Sequence, residues 1–377
     1  MERIYLDNAA TTPMSQEVVD IMVQQMGSLY GNPSSIHAQG RESRTVIEKA
    51  RKKIAEYIHC SPSEVFFTSG GTEADNMAIR GAVFDLGIKN IITSSIEHHA
   101  VLHTVEDLKV KGLVELNFVN MDAQGRISLI HLQELLKNNP NSFVSLMEAN
   151  NEIGNLNSLQ EIGKICDEYG ALFHSDTVQT MGHYRHNVQN QKVHFMACAA
   201  HKLHGPKGIG FIYIRNTVKI SPFIQGGSQE RNMRGGTENL IGILGLSKAF
   251  EITQEHMDEH KTYIQGLKTH MADRILSEIP GSEINGSSKP DESLYTVLNI
   301  SFPESDIGEM LLFNLDILGI SASGGSACTS GSEQGSHVLT ALGKNPNRPA
   351  IRFSFSKMNT LPEIDFTVES LKKLLMK

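Results

Sequence analysis

The stretch EVFFTSGGTEADNMAIRGAVFDLG, residues 64–87, joins a short apolar run to a helical segment through two glycines. The same order recurs along the chain, with NIITSS before HHAVLHTVEDLKVKG and FVSLMEAN before SLQEIGKICDEYG, and the runs ALFHSD and VHFMACAA follow. Short apolar runs that alternate with helical segments are typical of βαβ units. From about residue 16 to 250 the sequence therefore predicts an α/β fold with a mostly parallel, helix-covered sheet.

The pattern changes after the helical stretch 240–278. Two separated strands, YTVLNISF and AIRFSFS, alternate with the helical segments IGEMLLFNLDILG and LPEIDFTVESLKKLLMK. The N-terminal MERIYLDNAATTP reads as a strand followed by a turn. A chain of 377 residues has the length of about two domains. We expect a large domain over residues 15–250 and a small α+β domain made of residues 1–14 and 251–377.

Composition narrows the classes of function. The net charge is −8, so the chain has no general basic field for nucleic acid or an anionic membrane. No apolar run approaches the ~20 residues that a membrane span needs, and the N-terminus lacks the features of a targeting peptide. We expect a cytoplasmic protein with small-molecule or protein partners, no direct contact with nucleic acid and no membrane association.

The four cysteines have no CxxC pair and no histidine at zinc-site spacing, so no metal site is predicted. Cys166 falls in a helical segment and Cys198 in an apolar strand, which favours small buried side chains for both. Cys60 sits at a helix end and is expected to be inert as well. Cys328 differs, because residues 322–336 contain four glycines and five serines, the composition of a flexible coil. The segment is either a carrier for a reactive thiol or a surface loop with an incidental cysteine.

Three sets of residues follow predicted strands, where ligands of open α/β sheets bind. Gly70 and Gly71 precede a helix start and suit a single phosphate, although an ordinary capped turn has the same pattern. Asp176 ends a strand, either as a helix N-cap or as the partner of a cationic ligand nitrogen. Lys202 follows a strand and precedes a glycine-rich turn, either as a surface lysine or as a buried amine able to form a Schiff base. Together these three functions are what pyridoxal 5'-phosphate (PLP) requires of a protein.

Ten segments carry a resemblance over nearly the whole chain: YLDNAATTP, GNPSSIH, SGGTEADN, EHHAV, NNEIG, HSDTVQ, AHKLHGPKGIG, MRGGTEN, GSACTSG and IRFS. In them the chain resembles the cysteine desulfurases of the class V aminotransferase group, in the subgroup similar to the housekeeping iron–sulfur-cluster enzymes. The resemblance implies the PLP-dependent transferase fold type I, a homodimer, and L-cysteine as substrate. It also implies transfer of sulfur to an acceptor protein, such as an iron–sulfur cluster scaffold or a protein of cofactor or tRNA thiolation.

The resemblance also assigns roles to individual residues. For the cofactor ring it implies Lys202 as the Schiff-base lysine, Asp176 as the partner of the pyridine nitrogen, Gln179 at the phenolic oxygen, and His98 stacked on the ring and moving protons. For the phosphate it implies Gly71, Thr72 and His201, joined by Thr237 of the partner subunit. For the substrate it implies Asn151 and Arg352 at the carboxylate, where Arg offers a bidentate fork, and Cys328 as the nucleophile that becomes a persulfide.

One position departs from the pattern of the family. Many relatives carry serine three residues before the lysine, where this chain has Ala199, so one phosphate hydrogen bond is missing or is replaced by water. Two alternatives to a cysteine desulfurase stay open at this point. One is a selenocysteine lyase or another class V PLP enzyme, and the other is a catalytically silent PLP-binding scaffold that docks partners.

Overall fold

The computed structural model describes residues 3–324 and 335–376. The strands in these ranges are β1 (Ile4–Tyr5), β2 (Val65–Thr68), β3 (Asn90–Thr93), β4 (Glu115–Phe118), β5 (Ser142–Ser145), β6 (Leu172–Asp176), β7 (Phe195–Ala199), β8 (Gly210–Ile214), β9 (Glu283–Ile284), β10 (Val297–Ser301), β11 (Ile320–Ser321) and β12 (Ala350–Ser354). The helices are α1 (Gln16–Met26), α2 (Ala38–Tyr57), α3 (Gly71–Phe84), α4 (His99–Val110), α5 (Leu129–Asn138), α6 (Leu159–Glu168), α7 (Val188–Gln191), α8 (Gln229–Asn232), α9 (Leu240–Glu255), α10 (Met257–Glu278), α11 (Leu311–Ile317), α12 (His337–Ala341) and α13 (Leu361–Leu375).

The central sheet has seven strands in the order β2-β8-β7-β6-β5-β3-β4. The pairs β3–β4, β3–β5, β5–β6 and β6–β7 are parallel, whereas β8 is antiparallel to both of its neighbours. The prediction of a mostly parallel α/β sheet is confirmed. The antiparallel strand β8 was not predicted, because it depends on the tight turn after Lys202 that returns the chain directly alongside β7.

Both faces of this sheet are buried under helices. Ile92 and Phe67 pack in an apolar cluster with residues of α2, α6 and α9, whereas their chain neighbours Ile91 and Phe66 pack with residues of α3 and α4. Consecutive residues of a strand point to opposite faces, so near-continuous apolar runs are what a two-sided sheet requires. Each such side chain, when buried, stabilises the fold by about 1.5–3 kcal/mol.

A separate apolar cluster joins the N-terminus to the C-terminal third of the chain. It contains Ile4 and Leu6 together with residues of α10, β10, α11, β12 and α13. In this region β12-β10-β9 form a three-stranded antiparallel sheet, and β1 pairs in parallel with β11. We propose that the two-domain division expected from the sequence follows these separate cores. The predicted helical stretch 240–278 is two helices, since α9 ends before His256 and α10 begins after it.

Strand direction places the predicted site residues on one edge. β2 and β7 are both antiparallel to β8, so β2 runs in the same direction as the parallel strands. The carboxyl ends of β2, β3, β5, β6 and β7 therefore meet at the same edge of the sheet, and residues 7–12 cross it after β1. No helix within the described ranges is long and apolar enough to cross a membrane.

Candidate active site

A cavity of about 210 Å³ opens at this edge of the sheet. Nine of the eleven residues to which the family resemblance assigns roles line it: Gly71, Thr72, His98, Asn151, Asp176, Gln179, His201, Lys202 and Arg352. The cavity is also lined by residues that the sequence did not single out, among them Ala9, Ala10, Asp75, Met147, Ala149 and Val178. Ala199, the position that departs from the family pattern, lies on the lining as well.

Lys202 enters the cavity from a short 3₁₀ turn that directly follows β7. Its Nζ donates hydrogen bonds to the backbone carbonyls of Ala9 and Ala10, the latter at 2.8 Å. The turn is tight at Gly205, where a Cβ would lie 2.9 Å from the carbonyl oxygen of Ala200. The glycine-rich sequence after the lysine thus returns the chain into β8 and keeps Lys202 at the strand end.

Asp176 and Gln179 lie together after β6. Asp176 is buried, and one of its carboxylate oxygens accepts a hydrogen bond of 2.9 Å from the backbone N–H of Val178. The Gln179 amide donates to the Ala9 carbonyl at 3.1 Å, so Gln179 and Lys202 share this acceptor. The YLDNAATTP segment therefore supplies the backbone that positions both side chains.

Asp75 and His174 form a buried pair beside Asp176 that the sequence analysis missed. His174 Nε2 lies 3.3 Å from Asp75 Oδ1, and His174 Nδ1 is hydrogen-bonded to Ser145 Oγ at 2.8 Å. Burial, followed by the charges of Asp176 and Glu97, raises the pKa of Asp75 well above its ordinary value. Burial lowers the pKa of His174 to about 3, so His174 is neutral near pH 7.

The helical spacing could have predicted that Asp75 lines the cavity. Asp75 follows Gly71 by four residues, so both lie on the face of α3 that meets the cavity. Its proximity to Asp176 depends on strand order, which the residue pattern does not contain.

His98 is the N-cap of α4, where its Nδ1 accepts a hydrogen bond of 3.1 Å from the backbone N–H of Ala100. A neutral ring in this geometry carries its proton on Nε2. The adjacent His99 does not line the cavity and stacks between His103 and His337, with ring centroids 4.6 and 4.4 Å apart. Burial lowers the pKa of His99 to about 4. Of the two histidines, only His98 lies on the cavity lining.

Glu97, directly before His98, is fully buried. Its carboxylate accepts hydrogen bonds from the backbone N–H of Met147 at 2.9 Å and from Ser94 Oγ at 3.0 Å. Burial nevertheless raises the pKa of Glu97 to about 8. The glutamate ties the loop that carries His98 to the end of β5.

The first turn of α3 lines one end of the cavity through Gly71 and Thr72. Backbone N–H groups in the first turn of a helix lack intrahelical partners, and the helix dipole favours negative charge there. At Gly71 a Cβ would come within 2.5 Å of Val178 Cγ2, so a larger residue does not fit where the chain passes Val178. His201 faces the same cavity, and burial together with the charges of Lys202 and Lys207 lowers its pKa to about 4.

Arg352 projects into the cavity from β12 on the opposite side. Its Nη2 donates to Asp7 at 2.8 Å and its Nη1 to the backbone carbonyl of Asn151 at 2.9 Å. Among the described residues, Nε of this buried guanidinium has no hydrogen-bond partner. The Asn150 side chain, by contrast, donates to the Ile96 carbonyl and accepts from the backbone N–H groups of Glu152 and Ile153. Asn151 is thus the asparagine of NNEIG that is available at the cavity.

Two predicted residues are not in this cavity. Thr237 is exposed and lines a different cavity with Arg234, Gly208 and Asn239. Cys328 lies outside the described residues. The other cysteines agree with the prediction of inert thiols, because Cys166 and Cys198 are fully buried and burial raises the pKa of Cys60 to about 12.

The residues of the cavity fit PLP. An amine at a strand end matches an aldehyde, and a buried carboxylate matches a pyridine nitrogen. The N-terminus of α3, which has no side-chain cap among the described residues, matches a phosphate. Arg352 Nη1 and Nη2 carry two N–H groups each, so donors remain for a substrate carboxylate beside the bonds to Asn151 and Asp7. This fold and site define a PLP-dependent enzyme of the α/β class.

Comparison with known proteins agrees with this class. The family model described as aminotransferase class V matches residues 4–366, and the chain belongs to that family. It is 44% identical to the "Putative cysteine desulfurase IscS 1" of Bacillus subtilis (strain 168), over 97% of this chain and 96% of that protein. It is 41% identical to the "Cysteine desulfurase IscS" of Dictyoglomus turgidum, over 99% and 95%. The family predicted from the ten segments is confirmed.

Solved structures give the same result for the fold. One, described as a "NifS-like protein", superposes with a TM-score of 0.91 at 35% identity and covers 99% of each chain. A second NifS-like protein, from Rickettsia africae, superposes with a TM-score of 0.89 at 30% identity over 100% of both chains. The predicted fold class is therefore confirmed.

Proposed function

We propose that this chain is a PLP-dependent cysteine desulfurase. It converts L-cysteine to L-alanine, and Cys328 takes the sulfur as a persulfide and passes it to an acceptor protein. The reaction balances, because the substrate C–S bond breaks, an S–S bond forms on Cys328, and the thiol proton replaces sulfur on carbon. The observation that carries the proposal is the single cavity into which Lys202, Asp176 and Arg352 converge.

Arg352 and Asn151 bind the substrate carboxylate in this proposal. The guanidinium is held by Asp7 and by the Asn151 carbonyl, which fix its plane before substrate arrives. A buried guanidinium paired with a single carboxylate retains donors for a second anion. The carboxylate of the amino acid is therefore directed to the β12 side of the cavity, which leaves its Cα on the side of Lys202.

When bound, PLP supplies an electron sink for the bonds broken at the substrate Cα. Lys202 Nζ takes the proton from Cα, and the carbonyls of Ala9 and Ala10 hold this nitrogen at the cavity wall. His98 keeps its proton on Nε2, because Nδ1 is occupied by the N–H of Ala100. Nε2 is then the atom through which His98 moves a proton during turnover.

Asp176 would hold the pyridine nitrogen and Gln179 the phenolic oxygen of PLP. Asp75 and the neutral His174 form a buried pair beside Asp176, and the raised pKa of Asp75 disfavours a second negative charge there. At the other end, Gly71, Thr72 and His201 would hold the phosphate. Ala199 contributes no hydroxyl to it.

The proposal includes a homodimer in which Thr237 completes the phosphate site of the partner subunit. Thr237 is exposed, and its loop is anchored by Arg234, whose Nε donates to Glu73 in α3 at 3.0 Å. The adjacent helix α8 is held by a buried ion pair of 2.7 Å between Arg51 and Glu230. Such anchoring suits a loop that presents a residue outward in a fixed position.

The proposal also includes a cytoplasmic location and an acceptor such as an iron–sulfur cluster scaffold or a thiolation protein. The net charge of −8 supports protein partners over nucleic acid. A selenocysteine lyase is the alternative within the same family, and the relatives at 44% and 41% identity favour the desulfurase.

The test is to incubate the purified holoenzyme with L-cysteine, measure alanine and sulfide, and search for a sulfur adduct on Cys328 by mass spectrometry. Cys328→Ala should abolish turnover and the adduct, whereas the matched Cys60→Ala should keep both. Lys202→Ala should lose the visible absorbance band of bound PLP, whereas Lys207→Ala, on an exposed neighbour, should keep it. Full turnover by Cys328→Ala would exclude the persulfide role, and an unchanged band in Lys202→Ala would exclude the lysine.

A further inference from the structure

A second cavity of about 210 Å³ lies in the C-terminal part of the chain, between α10 and the strands β9 and β10. It equals the candidate active-site cavity in volume and shares no lining residue with it. Its lining includes Lys268 and Ala272 of α10, Asn285 after β9, and Asn299 of β10. No part of the proposed desulfurase reaction uses this space.

Lys268 gives this second cavity its positive charge. The side chain is buried, and its Nζ donates to Ser293 Oγ at 2.6 Å and to the carbonyl of Leu294 at 2.8 Å. An ammonium has three donors, so one remains. No carboxylate of the described residues pairs with it, and burial lowers the pKa of Lys268 to about 8. Asp273, the one acidic residue on the lining, is exposed.

Asn285 adds an unsatisfied acceptor to the same lining. It is fully buried, and its amide nitrogen donates to Asn299 Oδ1 and to Ser301 Oγ, both at 2.8 Å. Its carbonyl oxygen, Oδ1, has no hydrogen-bond partner among the described residues. A buried polar group without a partner destabilises the fold, and a buried unpaired charge destabilises it more. A ligand that brings an anion and a donor satisfies both groups.

We propose that the second cavity is a binding site for a small carboxylate that carries a hydrogen-bond donor, a class that includes hydroxy acids and amino acids. The carboxylate pairs with Lys268, and the donor binds Asn285 Oδ1. This inference does not depend on the desulfurase assignment.

The site is placed next to the residues that receive the substrate. Asn299 is the register partner of Arg352 in the β10–β12 pair, and its side chain donates to the Glu152 carbonyl at 3.0 Å. Ile153 lines the second cavity, whereas Asn151 lines the first. A ligand in the second cavity therefore contacts the segment whose carbonyl positions Arg352.

The test follows Lys268 itself by NMR, in holoenzyme labelled with ¹³C at the lysine ε carbons. The Lys268 resonance is assigned by its absence in Lys268→Met. Glycolate, which has a carboxylate and a hydroxyl but no amine to react with PLP, should shift this resonance and raise the pKa of Lys268. Acetate lacks the donor and should bind about two- to tenfold more weakly, the equivalent of one neutral hydrogen bond.

Two variants distinguish the cavity from general attraction of anions. Ala272→Leu fills the space without altering a polar group and should abolish the shift; if this variant does not fold, Leu276→Phe narrows the exposed rim instead. Lys289→Met removes an exposed lysine near the rim and should leave the shift intact. An unmoved Lys268 resonance in the unaltered enzyme, a full shift in a folded cavity-filling variant, or loss of the shift in Lys289→Met would each overturn the proposal. Equal affinity for acetate and glycolate would overturn the role of Asn285.

Discussion

Replacing Ala199 by serine should tighten the binding of PLP. Ala199 lies at the end of β7, where its register partner is Gly210 of β8, and Gly210 is also the register partner of Thr68 in β2. Ala199 therefore lies two strands away from Thr68, which ends β2 shortly before the first turn of α3. Gly210 has no side chain between them, and a Cβ there would lie 2.9 Å from Gly70 Cα. A hydroxyl at position 199 faces the cavity beside the proposed phosphate site.

The magnitude follows from the charge on the phosphate. A hydrogen bond to a charged group contributes about 1.5–3 kcal/mol, which corresponds to at least ~10-fold tighter binding. The backbone does not need to move, because the strand pairing of β7 with β8 fixes the Cβ direction and serine adds only one atom.

The assay is an equilibrium titration of apoenzyme with PLP, followed by the visible absorbance of the bound cofactor. Ala149→Ser is the matched control, because it places the same hydroxyl on the lining of the same cavity. Ala149, unlike Ala199, does not lie at the end of β7. Ala199→Ser should bind at least ~10-fold more tightly than the unaltered chain, and Ala149→Ser should not. If the two variants bind PLP equally, position 199 does not face the phosphate and the assignment of that end of the cavity is wrong.

Three further predictions concern buried charges. Arg352→Lys should raise KM for L-cysteine about 10- to 100-fold through loss of the guanidinium fork, measured by steady-state kinetics; an unchanged KM would remove Arg352 from substrate binding. Arg51→Met should lower the unfolding free energy by about 3–5 kcal/mol, because it leaves Glu230 buried without its ion-pair partner. Denaturant unfolding measures this change, and Arg3→Met, which removes an exposed ion pair, is the control. The pKa of Glu97 is raised to about 8 in the fold, so the native state binds more protons than the unfolded state and stability should fall as pH rises from about 4.5 to 8. Glu97→Gln should reduce this slope by up to ~1.4 kcal/mol per pH unit, and identical slopes in both proteins would contradict the raised pKa.

The sheet was predictable because its signal is local. Apolar runs of strand length, separated by helical segments, are needed wherever a parallel sheet is covered on both faces, as the burial of Ile91 and Ile92 on opposite faces shows. Most of the residues on the cavity lining could be predicted from the sequence for a related reason, because the carboxyl ends of parallel strands share one edge of the sheet. Lys202 and Asp176 could therefore be expected to meet before the strand order was known.

Contacts between distant parts of the chain could not be predicted in this way. The carbonyls of Ala9 and Ala10 hold Lys202 from 193 and 192 residues away, and backbone carbonyls leave no mark in the sequence. Asp75 lies near Asp176 only because α3 packs on the sheet against β6 and β7. The pairing of Lys268 with a hydroxyl and a carbonyl, and not with a carboxylate, likewise depends on how α10 meets the segment before β10.

The amino-acid sequence by itself determined the α/β class and the family and supplied the candidate site residues, because periodicity and short motifs depend on residues close together in the chain. Only the tertiary structure decided which acids are buried beside one another, which donors remain unpaired and where a second cavity opens. Burial and electrostatic interaction depend on distances between elements that lie far apart along the chain, and packing alone sets those distances.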